Sequence, residues 1–268
     1  MKPAPFAYEA ARSVTAALRL LGDGDADAKA LAGGQSLLPL LNFRLARPSL
    51  LVDLNPISEL SYLRRSDGVL RIGALTRQVT LERSAVVEHG WPLLVQAVRM
   101  VAHPAIRTRG TVGGSVAHAD PSAELPVALT ALDASFRLRS ARGERTVGAG
   151  ELFRGPMSTS IAPDELLIEI EVPRPPPGAR MAFVEHARTH GDFALAGAAV
   201  VLAPGDHAAI ALLGAGTTPV RAVAAERALI TGATDAEAAS LAGEGLRDEY
   251  RRALVSALVA RALKQLRR

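Results

Sequence analysis

Two short runs leave successive peptide N–H groups uncovered by bulky side chains: Ala32-Gly33-Gly34-Gln35-Ser36 and Thr111-Val112-Gly113-Gly114-Ser115. Glycine amides lined up in this way form a nest that binds phosphate oxygens through dipoles and hydrogen bonds rather than full charge. Gln35 adds an amide to the first run, and Thr111 and Ser115 supply hydroxyls in the second, as Ser36 does in the first. Two such runs on one chain suit a long ligand with a diphosphate at its centre, gripped from both sides, which is the footprint of a dinucleotide. Taken alone, the first run is equally a tight strand-to-helix turn.

Several familiar chemistries are excluded. The glycines do not follow the Rossmann spacing G-x-G-x-x-G, and no acidic residue stands in the matching frame. The Walker pattern G-x-x-x-x-G-K-S/T is missing, which argues against nucleotide hydrolysis, and G-x-S-x-G does not occur. His103 and His118 lack the histidine spacing and clustered acids of a metal site, so no metal is expected. With no cysteine, the chain carries neither a catalytic thiol nor a thiolate-held iron–sulfur cluster, and any electron transfer needs an organic cofactor.

Asp120 and Glu124 follow the second run closely. Carboxylates repel phosphate, so their ligand role would be toward sugar hydroxyls or ring N–H groups. Asp120 before Pro121 also suits a turn, and Glu124 suits the first turn of a helix. Phe193 suits the core; its other use is to lie against a flat ring.

At 268 residues, 49% hydrophobic and 22% charged, the chain has the balance of a globular protein with room for one large domain or two smaller ones. No apolar run approaches membrane-spanning length, and Met1–Arg12 lacks a signal pattern, so the expected location is the cytoplasm. The formal charge of +4 does not indicate nucleic acid: only Lys2, Lys29 and Lys264 are lysine among 31 basic residues, the arginines are scattered, and aromatics make up 4%.

The elements that must position these residues follow from periodicity. Residues 9–21 have helical spacing and stop at Gly22-Asp23-Gly24. Ala28–Leu31 and Leu50–Leu54 are strands on either side of a helical turn at Pro39–Leu45, which makes a small β–α–β unit. Val69–Ala74 is a strand, Leu75–Ser84 and Trp91–Met100 are helices, and Arg109–Pro121 is a glycine-rich loop. Glu124–Leu132 is an apolar helix, and Ser135–Arg139 alternates like a strand with one wet face. Pro173-Arg174-Pro175-Pro176-Pro177-Gly178 is a stiff extended connector. Beyond it, strands are expected near Ala182–Arg188 and Ala208–Leu213, with helices at Phe193–Val201, Thr217–Leu229 and Tyr250–Leu266.

The two glycine runs in this order, with Leu37 after the first, Leu51-Val52-Asp53-Leu54, Arg107-Thr108-Arg109-Gly110 and Ala119-Asp120-Pro121, closely resemble the FAD-binding medium subunit of molybdenum hydroxylases. That family includes carbon monoxide dehydrogenase medium chains and the flavin domain of xanthine dehydrogenase. Asp164-Glu165-Leu166-Leu167-Ile168 and Gly191-Asp192-Phe193-Ala194 match as well, so the likeness covers nearly the whole chain.

The resemblance implies an α+β (α/β-like) fold: a two-lobed FAD-binding domain of the vanillyl-alcohol-oxidase type plus a small C-terminal α/β domain. The lobes would be residues 1–57 and 58–174, and the C-terminal domain 179–268. It further implies that Ala32, Gly33, Gly34, Gln35, Ser36 and Leu37, with Thr111, Gly113, Gly114 and Ser115, hold FAD around its diphosphate. Asp120 and Glu124 would lie near the ribityl or adenosine part, and Leu167 and Phe193 near the isoalloxazine ring. Some relatives have a lysine where this chain has Phe183-Val184-Glu185-His186, which leaves the electron acceptor open.

By the same resemblance the chain is a flavoprotein subunit of a multi-subunit oxidoreductase. Iron–sulfur clusters sit on a small partner subunit and the molybdenum cofactor on a large one, in a dimer of heterotrimers. Electrons reach FAD from the clusters and leave to an external acceptor, and no acid–base catalytic residue is assigned. The alternatives are a free-standing FAD oxidoreductase with its own small substrate and a non-catalytic nucleotide-binding module.

Overall fold

The computed structural model describes residues 2–24 and 26–268. Its first unit runs β1 (Ala7–Ala10), α1 (Val14–Leu21), β2 (Ala28–Leu31), α2 (Leu37–Asn42) and β3 (Leu50–Asp53). The strands form a parallel sheet in the order β1-β3-β2. The helix expected from residue 9 begins only at Val14: residues 7–10 pair instead with β3, and the Ser13 hydroxyl caps α1 by accepting from the Ala16 N–H at 3.1 Å. Val14, Ala17, Leu18 and Leu21 then fall on one helical face and pack against Leu50 and Val52 of β3.

The second unit is built on a five-stranded antiparallel sheet, ordered β4-β5-β10-β6-β7. Its strands are β4 (Leu63–Ser66), β5 (Val69–Gly73), β6 (Ser135–Ser140), β7 (Gly143–Gly148) and β10 (Leu166–Pro173). Between β5 and β6 lie α3 (Gln78–Glu82), α4 (Ala85–Gly90), α5 (Pro92–Met100), α6 (Pro104–Arg109), α7 (Val112–His118) and α8 (Glu124–Ala131). The turn α9 (Ala149–Leu152) and the hairpin β8 (Phe153–Gly155) and β9 (Ser158–Thr159) precede β10.

The alternation of β6 is as expected. Phe136 and Leu138 are buried in the core, while Arg137 faces outward and binds Glu144 (2.8 Å) and Glu169 (2.5 Å). The expected Leu75–Ser84 helix is shorter, because Leu75 and Thr76 are held by backbone bonds to Leu60 and Gly73 before α3 starts. The glycine-rich stretch 109–121, expected to be loop, is mostly helix α7.

After Pro173, whose carbonyl accepts from the Trp91 indole at 2.8 Å, the proline segment leads to a third, antiparallel sheet ordered β11-β12-β13-β14. Its strands are β11 (Arg180–His186), β12 (Ala196–Ala203), β13 (His207–Leu213) and β14 (Val220–Arg221). They are followed by α10 (Val223–Ile230), α11 (Asp235–Ala242) and α12 (Glu249–Arg267). The helix expected at Phe193–Val201 is absent: that alanine-rich segment is the central strand β12, paired on both sides and buried on both faces. The helix expected at Thr217–Leu229 begins only at Val223, after β14.

Alternation splits this sheet cleanly. Ala182, Val184, Ala198 and Val200 face the core with α10–α12, whereas Phe183, Ala199, Val201 and Leu213 join the core of the second unit. The edge of β11 is held by Gln96 of α5, which donates to the Met181 carbonyl (3.2 Å) and accepts from the Phe183 N–H (2.8 Å).

Candidate flavin-phosphate site and carboxyl pair

The first glycine run begins where β2 ends, at the carboxyl edge of the parallel sheet, where open α/β sheets place their ligands. Gly34 has φ +75°, a left-handed backbone that turns the chain sharply into α2. The N–H groups of Gly33, Gly34, Gln35 and Ser36 have no hydrogen-bond acceptor among the described residues. Ser36 does not cap α2 with its hydroxyl, so that group is also uncommitted. Successive unpaired donors around a left-handed residue make an anion-binding concavity. The run's carbonyls, by contrast, are engaged: Ala32 accepts from Asn55 (2.9 Å), Gly33 from the Gln35 side chain (3.1 Å) and Gly34 from the Leu38 N–H (3.0 Å).

The second run is committed internally. Val112 N–H donates to the Thr76 carbonyl and Gly113 N–H to the Ala74 carbonyl, each at 2.9 Å. Thr111 is the N-cap of α7, its hydroxyl accepting from Gly114 N–H at 3.1 Å. A Cβ on Gly113 would stand 2.6 Å from both the Cβ and the carbonyl oxygen of Ala74, so only glycine lets α7 seat on the β5–α3 connection. Arg107, just upstream, is buried and binds Glu82 with two nitrogens (2.8 and 3.2 Å), fixing α6 to α3.

The two runs touch. A Cβ on Gly33 would overlap the Arg109 carbonyl oxygen and lie 2.9 Å from the Gly110 Cα, so this glycine is required by backbone meeting backbone. Arg77 ties the junction, donating to the Arg109 carbonyl and to Asn55 Oδ1 (2.7 Å). Asn55 also binds Asp53, whose other oxygen accepts from the Tyr8 hydroxyl at 2.5 Å. Burial opposes the charged form of Asp53, but the bonds from Tyr8 and Asn55 outweigh it and hold the carboxyl below its usual range. Asn55 and Arg77 carried no motif signal in the sequence beyond the turn at Asn55-Pro56.

Asp120 makes the turn expected before Pro121, its Oδ1 accepting from Ser122 N–H at 2.8 Å. Glu124 opens α8, as a first-turn acid would, yet it is only 7% exposed. Burial pushes its carboxyl up to about 8, with Glu185 and Asp120 adding repulsion. Glu185 of β11 is pushed up to about 7 by burial, and its Oε2 is buried without a partner. The strand alternation around Phe183 was the available signal for Glu185. His118 is held below its ordinary value by burial; Asp120 opposes this and Lys29 adds to it.

Leu167 is buried on β10 beside a register shift, within the core shared by α7 and α8. Phe193 is not core: it is 75% exposed on the loop from β11 to β12, where Gly191 packs against the ring of His103.

Unpaired amides beside a side-chain hydroxyl, at the carboxyl edge of a parallel sheet, fit the diphosphate of a flavin nucleotide. These features define a dinucleotide-binding α+β protein. The family described as "FAD binding domain in molybdopterin dehydrogenase" matches residues 4–175. The chain is 46% identical to the 6-hydroxypseudooxynicotine dehydrogenase complex subunit alpha of Paenarthrobacter nicotinovorans, over 98% of this chain and 95% of that protein. It is 37% identical to the carbon monoxide dehydrogenase medium chain of Hydrogenophaga pseudoflava, over 98% and 97%.

Among solved structures, the carbon monoxide dehydrogenase of Hydrogenophaga pseudoflava that lacks the Mo-pyranopterin moiety superposes with a TM-score of 0.93 at 39% identity, covering 99% of this chain and 98% of that one. Quinoline 2-oxidoreductase from Pseudomonas putida 86 superposes at 0.94 and 37% identity, covering 99% and 98%. The chain therefore belongs to the FAD-binding subunits of molybdopterin dehydrogenases, as the medium, flavoprotein component of a multi-subunit molybdenum hydroxylase-type oxidoreductase. No helix among the described residues is long and apolar enough to cross a membrane.

Proposed function

We propose that this chain is the electron-transfer subunit of a cytoplasmic molybdenum hydroxylase, passing electrons from iron–sulfur clusters of a small partner subunit, through FAD, to an external acceptor. The molybdenum cofactor then sits on a large partner, and the assembly is a dimer of heterotrimers. Bound FAD supplies the capacity to exchange electrons one or two at a time; the chain supplies position and electrostatics.

The observation that carries this reading is the unpaired run of amides at Gly33–Ser36. These donors and the Ser36 hydroxyl bind the diphosphate, with Ala32 and Leu37 shaping the two ends of the turn. Thr111, Gly113, Gly114 and Ser115 hold α7 against that turn and complete the opposite wall. Asp120, with Oδ2 uncommitted to the turn, takes a sugar hydroxyl of the ligand, and Glu124 lies on the same side. Leu167 and the exposed Phe193 border the flavin ring.

Residues 1–174 form the FAD-binding domain, with lobes at 1–57 and 58–174, and 179–268 a C-terminal flavoprotein domain. The support is that the three main sheets divide at those positions. The absorption spectrum of the purified chain tests the reading. The expected outcome is the two-band visible spectrum of bound flavin, or its recovery on adding FAD; a colourless chain that takes up no FAD overturns it.

A further inference from the structure

The loop between β11 and β12 stays at the surface along most of its length: Arg188, Thr189, His190, Asp192 and Phe193 are all exposed. Its base is closed by the Leu195 N–H, which donates to the His186 carbonyl at 2.8 Å. Its tip is a β-turn in which the Asp192 N–H donates to the Thr189 carbonyl at 3.1 Å. Gly191 takes the turn's third position with φ +87°, where a left-handed residue is required. A Cβ there would stand 2.5 Å from His103 Cε1 and 2.9 Å from Nδ1, so the bare glycine rests directly on the imidazole.

His103 comes from a distant part of the chain, and its place is fixed from beneath. Ala102 before it has φ +42°, a left-handed bend that an alanine adopts only at a cost. The guanidinium of Arg107 holds that bend, with Nη1 donating to the carbonyls of Val101 (2.9 Å) and Ala102 (3.3 Å). Arg107 is itself buried and tied to Glu82. The His103 carbonyl accepts from the Ile106 N–H at 2.9 Å as α6 begins. The imidazole makes no hydrogen bond among the described residues, so its contact with Gly191 is one of shape.

Phe193 therefore stands between two fixed neighbours: Gly191 on the His103 ring, and Ala194 buried in the core of the second unit. An exposed aromatic held in this way needs no reordering when a flat ligand comes against it. A wall that is already ordered binds more tightly than one the ligand must order. Without the imidazole, the loop keeps only its own turn and base, and Phe193 loses one of its two fixed neighbours.

We infer that His103 is the positioning residue for Phe193: its ring seats Gly191 and so presents Phe193 as a preformed wall for the flat ring of the cofactor. This rests on the place proposed above for Phe193 at the flavin ring. His103 and Gly191 act through the aromatic side chain, without touching the ligand themselves.

The first measurement reads the loop without cofactor. Trypsin cuts after the exposed Arg188 when the loop opens, and the cutting rate follows the open population. In the full-length chain, His103→Ala and Gly191→Ala should each raise that rate about tenfold. Two independent losses would multiply to about a hundredfold, whereas loss of one shared contact leaves the double variant at about tenfold. A wild-type rate in His103→Ala, or a multiplied effect in the double variant, overturns the inference.

The second measurement is FAD titration of the full-length, flavin-stripped chain, followed by flavin fluorescence. His103→Ala and Phe193→Ala should each weaken binding about tenfold, and together no further than Phe193→Ala alone. A His103→Ala loss that persists undiminished in the Phe193→Ala background marks a general structural role and overturns the inference. So does Phe193→Ala binding FAD as the wild type does; both results leave FAD binding itself standing. A wild-type chain that takes up no FAD overturns the proposed function, and this inference with it.

Discussion

The two glycine runs have nearly the same composition and opposite hydrogen-bonding states. The run at residues 32–36 keeps four consecutive amides unpaired, whereas the run at 111–115 gives its amides to Thr76, Ala74 and Thr111. The first is an open concavity for an anion; the second is a seat that locks α7 to the β5–α3 connection. Their glycines differ in the same way. Gly34 is needed for its left-handed φ, and Gly113 for contact with Ala74. Glycine-rich sequence thus marks close approach of a backbone, without saying whether a ligand or another part of the chain does the approaching.

The largest effect is expected where the contact is internal. Gly113→Val places a branched side chain into Ala74 and should lower the stability of the chain by about 3 kcal/mol or more, with FAD lost as a consequence. Thermal melting and flavin content measured together check this. A folded, normally stable variant that merely lacks FAD would make the second run a direct ligand contact and erase the contrast.

Gly34→Ala should do the reverse. The strained φ costs about 1 kcal/mol in stability, yet the displaced amides should weaken FAD binding about tenfold in a fluorescence titration. Unchanged affinity would remove the concavity from the site.

The smallest effect is one of pH. In the FAD-free chain, Glu124 keeps its proton up to about 8, while the unfolded chain releases it near the ordinary carboxyl value. Burial of Glu124 therefore carries no ionisation penalty below that ordinary value, and destabilises the fold increasingly as pH rises toward 8. Glu124→Gln should accordingly melt higher than wild type near pH 8 and equal to it in mild acid; a constant difference across that range would show that burial of the charge is not the cause.

Much of this organisation is legible in residue patterning. The strands β2, β3, β5 and β6, the proline connector and α12 lie close to where period and turn residues place them. The departures have local causes. The alanines of β12 favour helix intrinsically, and only pairing with β11 and β13 makes them a central strand. Helix α7 hides behind its glycines; its cap at Thr111 and the carbonyls of Ala74 and Thr76 supply what propensity does not. Helix α11 lies outside the expected elements; reciprocal bonds between Thr234 and Glu237 form a capping box at its start.

At the site, the glycine runs stand out by composition, whereas Asn55, Arg77 and Glu185 acquire meaning only from residues distant in the chain. Phe193 shows the converse. Its side chain is among the most apolar of the loop, yet it stays exposed while its neighbour Ala194 is buried in the core.

The clasp of Gln96 on β11 has a consequence for the chain before it meets any other subunit. A primary amide presents the same donor and acceptor as a peptide unit, so Gln96 occupies the margin of the C-terminal sheet as a neighbouring strand would. A freshly synthesised copy is thereby denied one easy route to edge-to-edge self-association while it waits for assembly.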